Sequence, residues 1–129
     1  MKTILPLLAA LTLSACASAG PGTAPPPAGF DASASQFAGW VVVTGEEFRL
    51  YQTENEMRSR SFQCVSGALP RDLQRSSPDI SGQRVRFSGH TMAWSAHGSG
   101  PLYDWRGSKI ENLCHRDVVI LADGVTVTG

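Results

Sequence analysis

Gly82-Gln83-Arg84-Val85-Arg86-Phe87-Ser88-Gly89 is the stretch from which the fold is read. Val85 and Phe87 alternate with Arg84, Arg86 and Ser88. A period of two is the mark of a strand with one face in a core and the other in water. A helix would need apolar residues three and four apart, and none stand there. The strand extends over residues 83–94, and Gly89 inside it is expected to mark a bulge or bend.

Upstream, residues 39–44 are β-branched and aromatic and form a first strand. Gly45-Glu46 turns the chain. Residues 47–53 alternate again, with Phe48, Leu50 and Gln52 on one face and Arg49 and Tyr51 on the other. The charged residues 54–60 are expected as a loop. Strand character returns over residues 61–65, and Ser66-Gly67 interrupts it. Residues 68–75 form one or two helical turns, with Pro70 near the start and Leu69 and Leu73 on one side. Downstream, residues 95–108 form a long Gly- and Ser-rich surface loop. Residues 118–122 are a buried strand, Asp123-Gly124 a two-residue turn, and residues 125–128 the returning strand.

No period of 3.6 persists beyond two turns, so the domain is all-β with one short helix. Three strands, a helical connection, a long strand and a terminal hairpin resemble a small OB-fold-like barrel of five or six strands. That resemblance covers roughly residues 38–122, and residues 82–89 look like the barrel's fourth strand. A small open β-sandwich is the alternative.

The first residues have a different character. Lys2 precedes an apolar run over residues 4–13, too short for a bilayer span of roughly 20 residues and right for a secretory leader. Leu13-Ser14-Ala15-Cys16 follows. The segment resembles a bacterial type II signal peptide, whose lipobox is Leu, two small residues and Cys. The resemblance implies cleavage before Cys16, a diacylglycerol thioether on its sulfur and acylation of the new amino group. Two or more chains make such an anchor stable. An ordinary secretory leader cut after Ala15 or Ala19 is the alternative. Ala17 rather than Asp follows Cys16. In lipoproteins of this kind that implies the outer membrane, with the domain facing the periplasm. The domains are therefore a leader over 1–15, a lipidated Cys and Pro-, Ala-, Ser- and Gly-rich tether over 16–36, and a β domain over 37–129.

With Cys16 given to lipid, Cys64 and Cys114 remain of the three cysteines. An even pair in an oxidising compartment is expected to form a disulfide. Its loop of about 50 residues corresponds to about 4 kcal/mol in the chain-entropy model. A domain of about 93 residues benefits from such a staple. Acidic and basic residues number 11 each in the whole chain. Loss of Lys2 leaves the mature chain one charge negative. Neither that balance nor the compartment suits nucleic acid.

No arrangement of residues specifies catalysis. His90, His97 and His115, with Asp104 or Asp117, match no standard zinc spacing, and no metal or other cofactor is assigned. No nucleophile elbow is present, and the acidic pairs Glu46-Glu47 and Glu54 with Glu56 are expected to be solvated. Trp94, Tyr103 and Trp105 flank the flexible loop, and aromatics beside Gly and Ser make good contact residues; the alternative is that they are core, Trp94 capping the barrel interior and Trp105 plugging its far end. The loop His97-Gly98-Ser99-Gly100-Pro101-Leu102-Tyr103 resembles the Ser-Gly-x-Gly-x-x-Tyr loop of periplasmic C-type lysozyme inhibitors. Gly98, Ser99, Gly100 and Tyr103 match that pattern. His97 replaces its first Ser, and Trp105-Arg106-Gly107 follows Tyr103 too closely for the family's later element. The expected function is a non-enzymatic binding or structural module of the envelope, held to the membrane through Cys16. Its binding residues would be Trp94, His97, Ser99, Tyr103 and Trp105, and its partner an envelope protein. Inhibition of a C-type lysozyme is the alternative, and a small hydrolase or metal-binding factor a lower one.

Overall fold

The computed structural model describes residues 22–129, so the expected leader over 1–15 and Cys16 lie outside the described residues. The strands are β1 (Gln36–Thr44), β2 (Glu47–Tyr51), β3 (Cys64–Ala68), β4 (Arg84–Ala93), β5 (Tyr103–Trp105), β6 (Ser108–Ile110) and β7 (Val118–Val127). Five of them close into a barrel in the order β1-β2-β3-β7-β4. Every neighbouring pair is antiparallel except β3 and β7, which run parallel at Gly67↔Ile120 and Ala68↔Leu121. With the helix α2 (Arg71–Ser76) between β3 and β4, this is a small all-β, OB-fold-like barrel, and an open sandwich is excluded.

The alternation over residues 82–89 has the predicted result. Val85 and Phe87 are fully buried, and Phe87 stacks on Phe48 with ring centroids 4.0 Å apart. Val41, Leu50, Val65 and Ile120 fill the rest of the barrel interior. Gly89 sits at a register shift between β4 and β7. Its φ of 154° and the Leu121 carbonyl oxygen, 2.2 Å from where a Cβ would lie, admit only glycine.

Several local expectations are corrected. Residues 54–60 are not a loop but the helix α1 (Glu54–Ser59). Thr53 caps it by accepting from the Glu56 N–H, so Thr53-x-x-Glu56 is a capping box of which only the Thr half closes. Ser66-Gly67 does not interrupt β3. Gly67 is there because a Cβ would meet the Ile120 carbonyl oxygen at 2.4 Å across the β3–β7 pair. Asp123-Gly124 is not a hairpin turn. β4 is ten residues long and pairs with all of β7, so β7 has no reason to fold back. Ser88 faces Gly124 and Gly89 faces Ala122, which leaves Asp123 as the extra residue of a bulge, its carboxylate accepting from the Ser88 hydroxyl.

Residues 24–35, expected as part of the tether over 16–36, are docked on the barrel as a strap. Ala24 exchanges backbone bonds with His115 and Asp117. Phe30 stacks on Phe37, with centroids 5.5 Å apart. Composition argued against any packing there, yet besides Phe30 the strap offers backbone carbonyls, and Gln52 Nε2, Thr91 Oγ1 and Gly89 N donate to those of Ala28, Ala32 and Ser35, while a further donor takes that of Pro25. That donor is Arg116, which gives Nη1 to Pro25 O, Nη2 to Phe62 O and Nε to Cys64 O at 2.6, 2.6 and 3.0 Å.

Cys64 and Cys114 form the expected disulfide, with Cα atoms 5.6 Å apart. Strand direction gives the barrel two mouths. At the first, β3 and β7 begin and β2 and β4 end, which gathers Cys64, Val118, Tyr51 and Ala93. The disulfide, Phe62 and Arg116 lie there. At the second are the Gly45-Glu46 turn and α2.

Candidate functional site

The segment from Trp94 to Ile110 is not one loop. It opens on a single 3-10 turn, Trp94–Ala96, and closes on the β5–β6 hairpin. Arg106 and Gly107 form the hairpin turn with φ of 48° and 93°, the left-handed pair that a two-residue connection requires. Asp104 accepts from the Gly107 N–H at 2.8 Å and pairs with the Lys109 ammonium. The Lys109 bond first, and the Gly107 bond next, hold the Asp104 carboxyl below the usual carboxylate range.

The hairpin covers the outer face of β7. Ala68, Ile110, Val119 and Leu121 form a second apolar cluster, against which Trp94, Tyr103 and Trp105 pack half-buried. Trp105 donates Nε1–H to Ala122 O at 2.7 Å, meets the His90 ring at 87° and carries Arg106 over its face at 4.9 Å. These three aromatics hold the hairpin to the barrel and are not free contact residues.

His97 organises the piece between. Its ring stacks on Trp94 with centroids 4.0 Å apart. Nδ1 lies 2.6 Å from Trp94 O, and Nε2 lies 2.8 Å from Gly100 O. Each nitrogen thus faces a carbonyl oxygen. With both nitrogens occupied, His97 is not placed as a general base. Gly98 and Gly100, at φ of 94° and 93°, present Ser99 exposed at the tip, and Leu102 follows, 41 % exposed. Of the predicted binding residues, the structure leaves Ser99 outward, spends Trp94, Tyr103 and Trp105 on packing, and uses His97 as the loop's internal brace. No group of three or more His, Cys, Asp or Glu gathers for a metal among the described residues.

The other end of the segment is fixed by two acids that were expected to be solvated. Glu46 accepts from Lys109 N and pairs with Arg71 at 3.4 Å. Glu47 is only 3 % exposed. Its Oε1 accepts from Glu111 N and Asn112 N, and its Oε2 from Leu113 N, at 2.5, 3.2 and 2.7 Å. Cys114 N then donates to the buried Ser66 hydroxyl. Nothing local in the sequence signals this latch, because its partners stand more than sixty positions away.

A shallow hollow of about 350 Å³ adjoins this latch, lined by Glu46, Glu47, Lys109 and Leu113, and two clefts lie elsewhere. A cleft of about 310 Å³ opens at the second mouth between α2 and the β1–β2 turn, floored by Phe48, Leu69 and Ile80. One of about 280 Å³ runs between the strap and β1, lined by Phe30, Phe37, Gln52 and Gln63. Neither brings a nucleophile and a base together. Compared with protein-family models, curated proteins and solved structures, the chain matches none.

Proposed function

We propose that this chain is an envelope lipoprotein, lipidated at Cys16, whose barrel is a non-enzymatic binding or structural module facing the periplasm. The observation that carries this is the Cys64–Cys114 disulfide. It suits an oxidising compartment, and it takes two of the three cysteines, so that the one left over is the cysteine of the lipobox-like sequence. A barrel interior filled by its own side chains favours recognition at the surface over a small ligand held inside. The contact surface is the 97–102 loop, rigidified by His97 and exposing Ser99 and Leu102.

The test has two arms. Cells fed labelled palmitate should label the wild-type protein and not Cys16→Ser; a labelled Cys16→Ser protein removes the anchor. Crosslinking in the intact envelope should capture a partner that is lost when residues 98–102 are replaced by a short glycine turn. Identical capture by both proteins removes the loop from the binding role.

The outward Gly98-Ser99-Gly100 tip favours one second function, inhibition of a C-type lysozyme through this loop. A soluble domain spanning residues 22–129 that fails to slow lysis at stoichiometric excess eliminates it.

A further inference from the structure

We propose that the first mouth of the barrel faces the bilayer and that Phe62 seats in its interfacial layer; this rests on the lipid anchor at Cys16. Phe62 is 87 % exposed, far more than Leu102 at 41 % or Val127 at 43 %, the other large apolar residues exposed among the described ones. It is not a loosely held residue. Its carbonyl accepts from Arg116 Nη2, the next N–H donates to the Ser61 hydroxyl, and the disulfide begins two positions on. An aromatic ring held outward on so constrained a backbone has area to offer and little order left to lose.

Covalent reach selects lipid as its partner. The guanidinium that holds Phe62 O also holds Pro25 O, and Ala24 is bonded to His115 and Asp117 beside it. The lipid-bearing chain therefore meets the barrel at the very place where Phe62 protrudes. Eight residue steps separate Cys16 from Ala24, at most ~29 Å fully extended. A ten-residue strand such as β4 is itself ~33 Å long. Tilted by roughly 35–45°, such a strand gives a barrel only ~25 Å tall, so a chain leaving at the first mouth would have to be almost fully stretched to bring the second mouth to the bilayer. Arg60 lies two residues before Phe62 and is exposed; its Nη1 donates to Met57 O at 3.0 Å, and it has no carboxylate partner among the described residues. An exposed cation beside an apolar ring fits a phosphate headgroup above acyl chains.

The experiment uses the full lipidated chain in vesicles of phosphatidylethanolamine and phosphatidylglycerol. Phe62→Trp adds an indole at an exposed position that packs against nothing. Arg75→Trp adds one on α2 at the second mouth. The emission added at position 62 should shift to the blue and be quenched by lipids brominated high on the acyl chain, and that added at position 75 should do neither. Equal behaviour at the two positions, with palmitate labelling intact, overturns the orientation and leaves the anchor standing. Absence of palmitate from the wild-type protein overturns both. A concentration-dependent blue shift of Cys16→Ser/Phe62→Trp in buffer alone assigns Phe62 to a second copy of the chain and also overturns the proposal.

Discussion

The carboxylate of Glu47 accepts three backbone N–H groups from residues 111, 112 and 113 while being almost wholly out of water. Hydrogen bonds to a charged group contribute about 1.5–3 kcal/mol each, and an orphaned buried donor costs a similar amount. Glu47→Gln keeps the shape but turns an NH₂ toward at least one of those donors. It should lower stability by about 2–3 kcal/mol in urea unfolding of the 22–129 domain; an unchanged midpoint shows that the latch contributes little. Asp104 is the opposite case, an exposed acid whose titration is depressed by Lys109 and then by Gly107. Its hold on the hairpin turn is present above the ordinary aspartate range and is lost as pH falls through the lowered value. Carboxyl NMR should place its midpoint below that of a free aspartate, and Lys109→Met should move it up toward the ordinary aspartate range, with the Gly107 bond still lowering it. No movement in the Lys109→Met titration contradicts the assigned cause.

Elements differ in how much of them a short window of sequence discloses. β1 was legible from its run of β-branched and aromatic residues, and β2 and β4 because a two-residue period is a local fact, as was the bulge at Gly89. The capping box at Thr53-x-x-Glu56 and the Arg106-Gly107 turn were equally local, but the charge around the first and the glycines around the second pointed to loop. β7 was misread for a different reason: Asp-Gly is a turn signal only if no longer partner strand competes, and β4 competes. The strap was hidden by composition, since Phe30 and the proline carbonyls become useful only once Arg116 arrives from the far end of the chain. Arg116→Ala should release it. Residues 24–35 should become protease-sensitive and the Asp117 amide should exchange faster, with a stability cost of about 2 kcal/mol. Arg116→Lys should rescue only in part, because an ammonium cannot span three carbonyls as a planar fork does. Equal protease resistance in the alanine variant means the strap is held by Phe30 and its bonds to Gln52, Gly89, Thr91, His115 and Asp117 without Arg116. Over residues 95–108, the sequence left contact and core readings open for Trp94, Tyr103 and Trp105, because the apolar sheet face they cover is assembled only by the fold.

In the molecule as a whole, everything depends on one seam. β3 and β7 meet in parallel over only two residue pairs, Gly67↔Ile120 and Ala68↔Leu121, whereas β4 and β7 pair along their whole length. The disulfide, the Ser66 bond to Cys114 and the Glu47 latch all cross from the β2–β3 side to the chain just before β7. A Cys64→Ser/Cys114→Ser protein should lose about 4 kcal/mol, the loop-closure value for 50 residues, read as a lowered urea midpoint; an unchanged midpoint assigns the seam to the Glu47 and Ser66 bonds alone. Such a barrel has no sheet edges while it is shut. Open at this seam, it would show two at once, β3 with its unpaired backbone on one flank and β7 on the other, each the natural complement of the opposite flank on a neighbouring chain. Failure to oxidise would thus convert a closed monomer into a unit that adds head to tail, and the first sign of a missing bridge would be strand-exchanged polymers rather than unfolded chains.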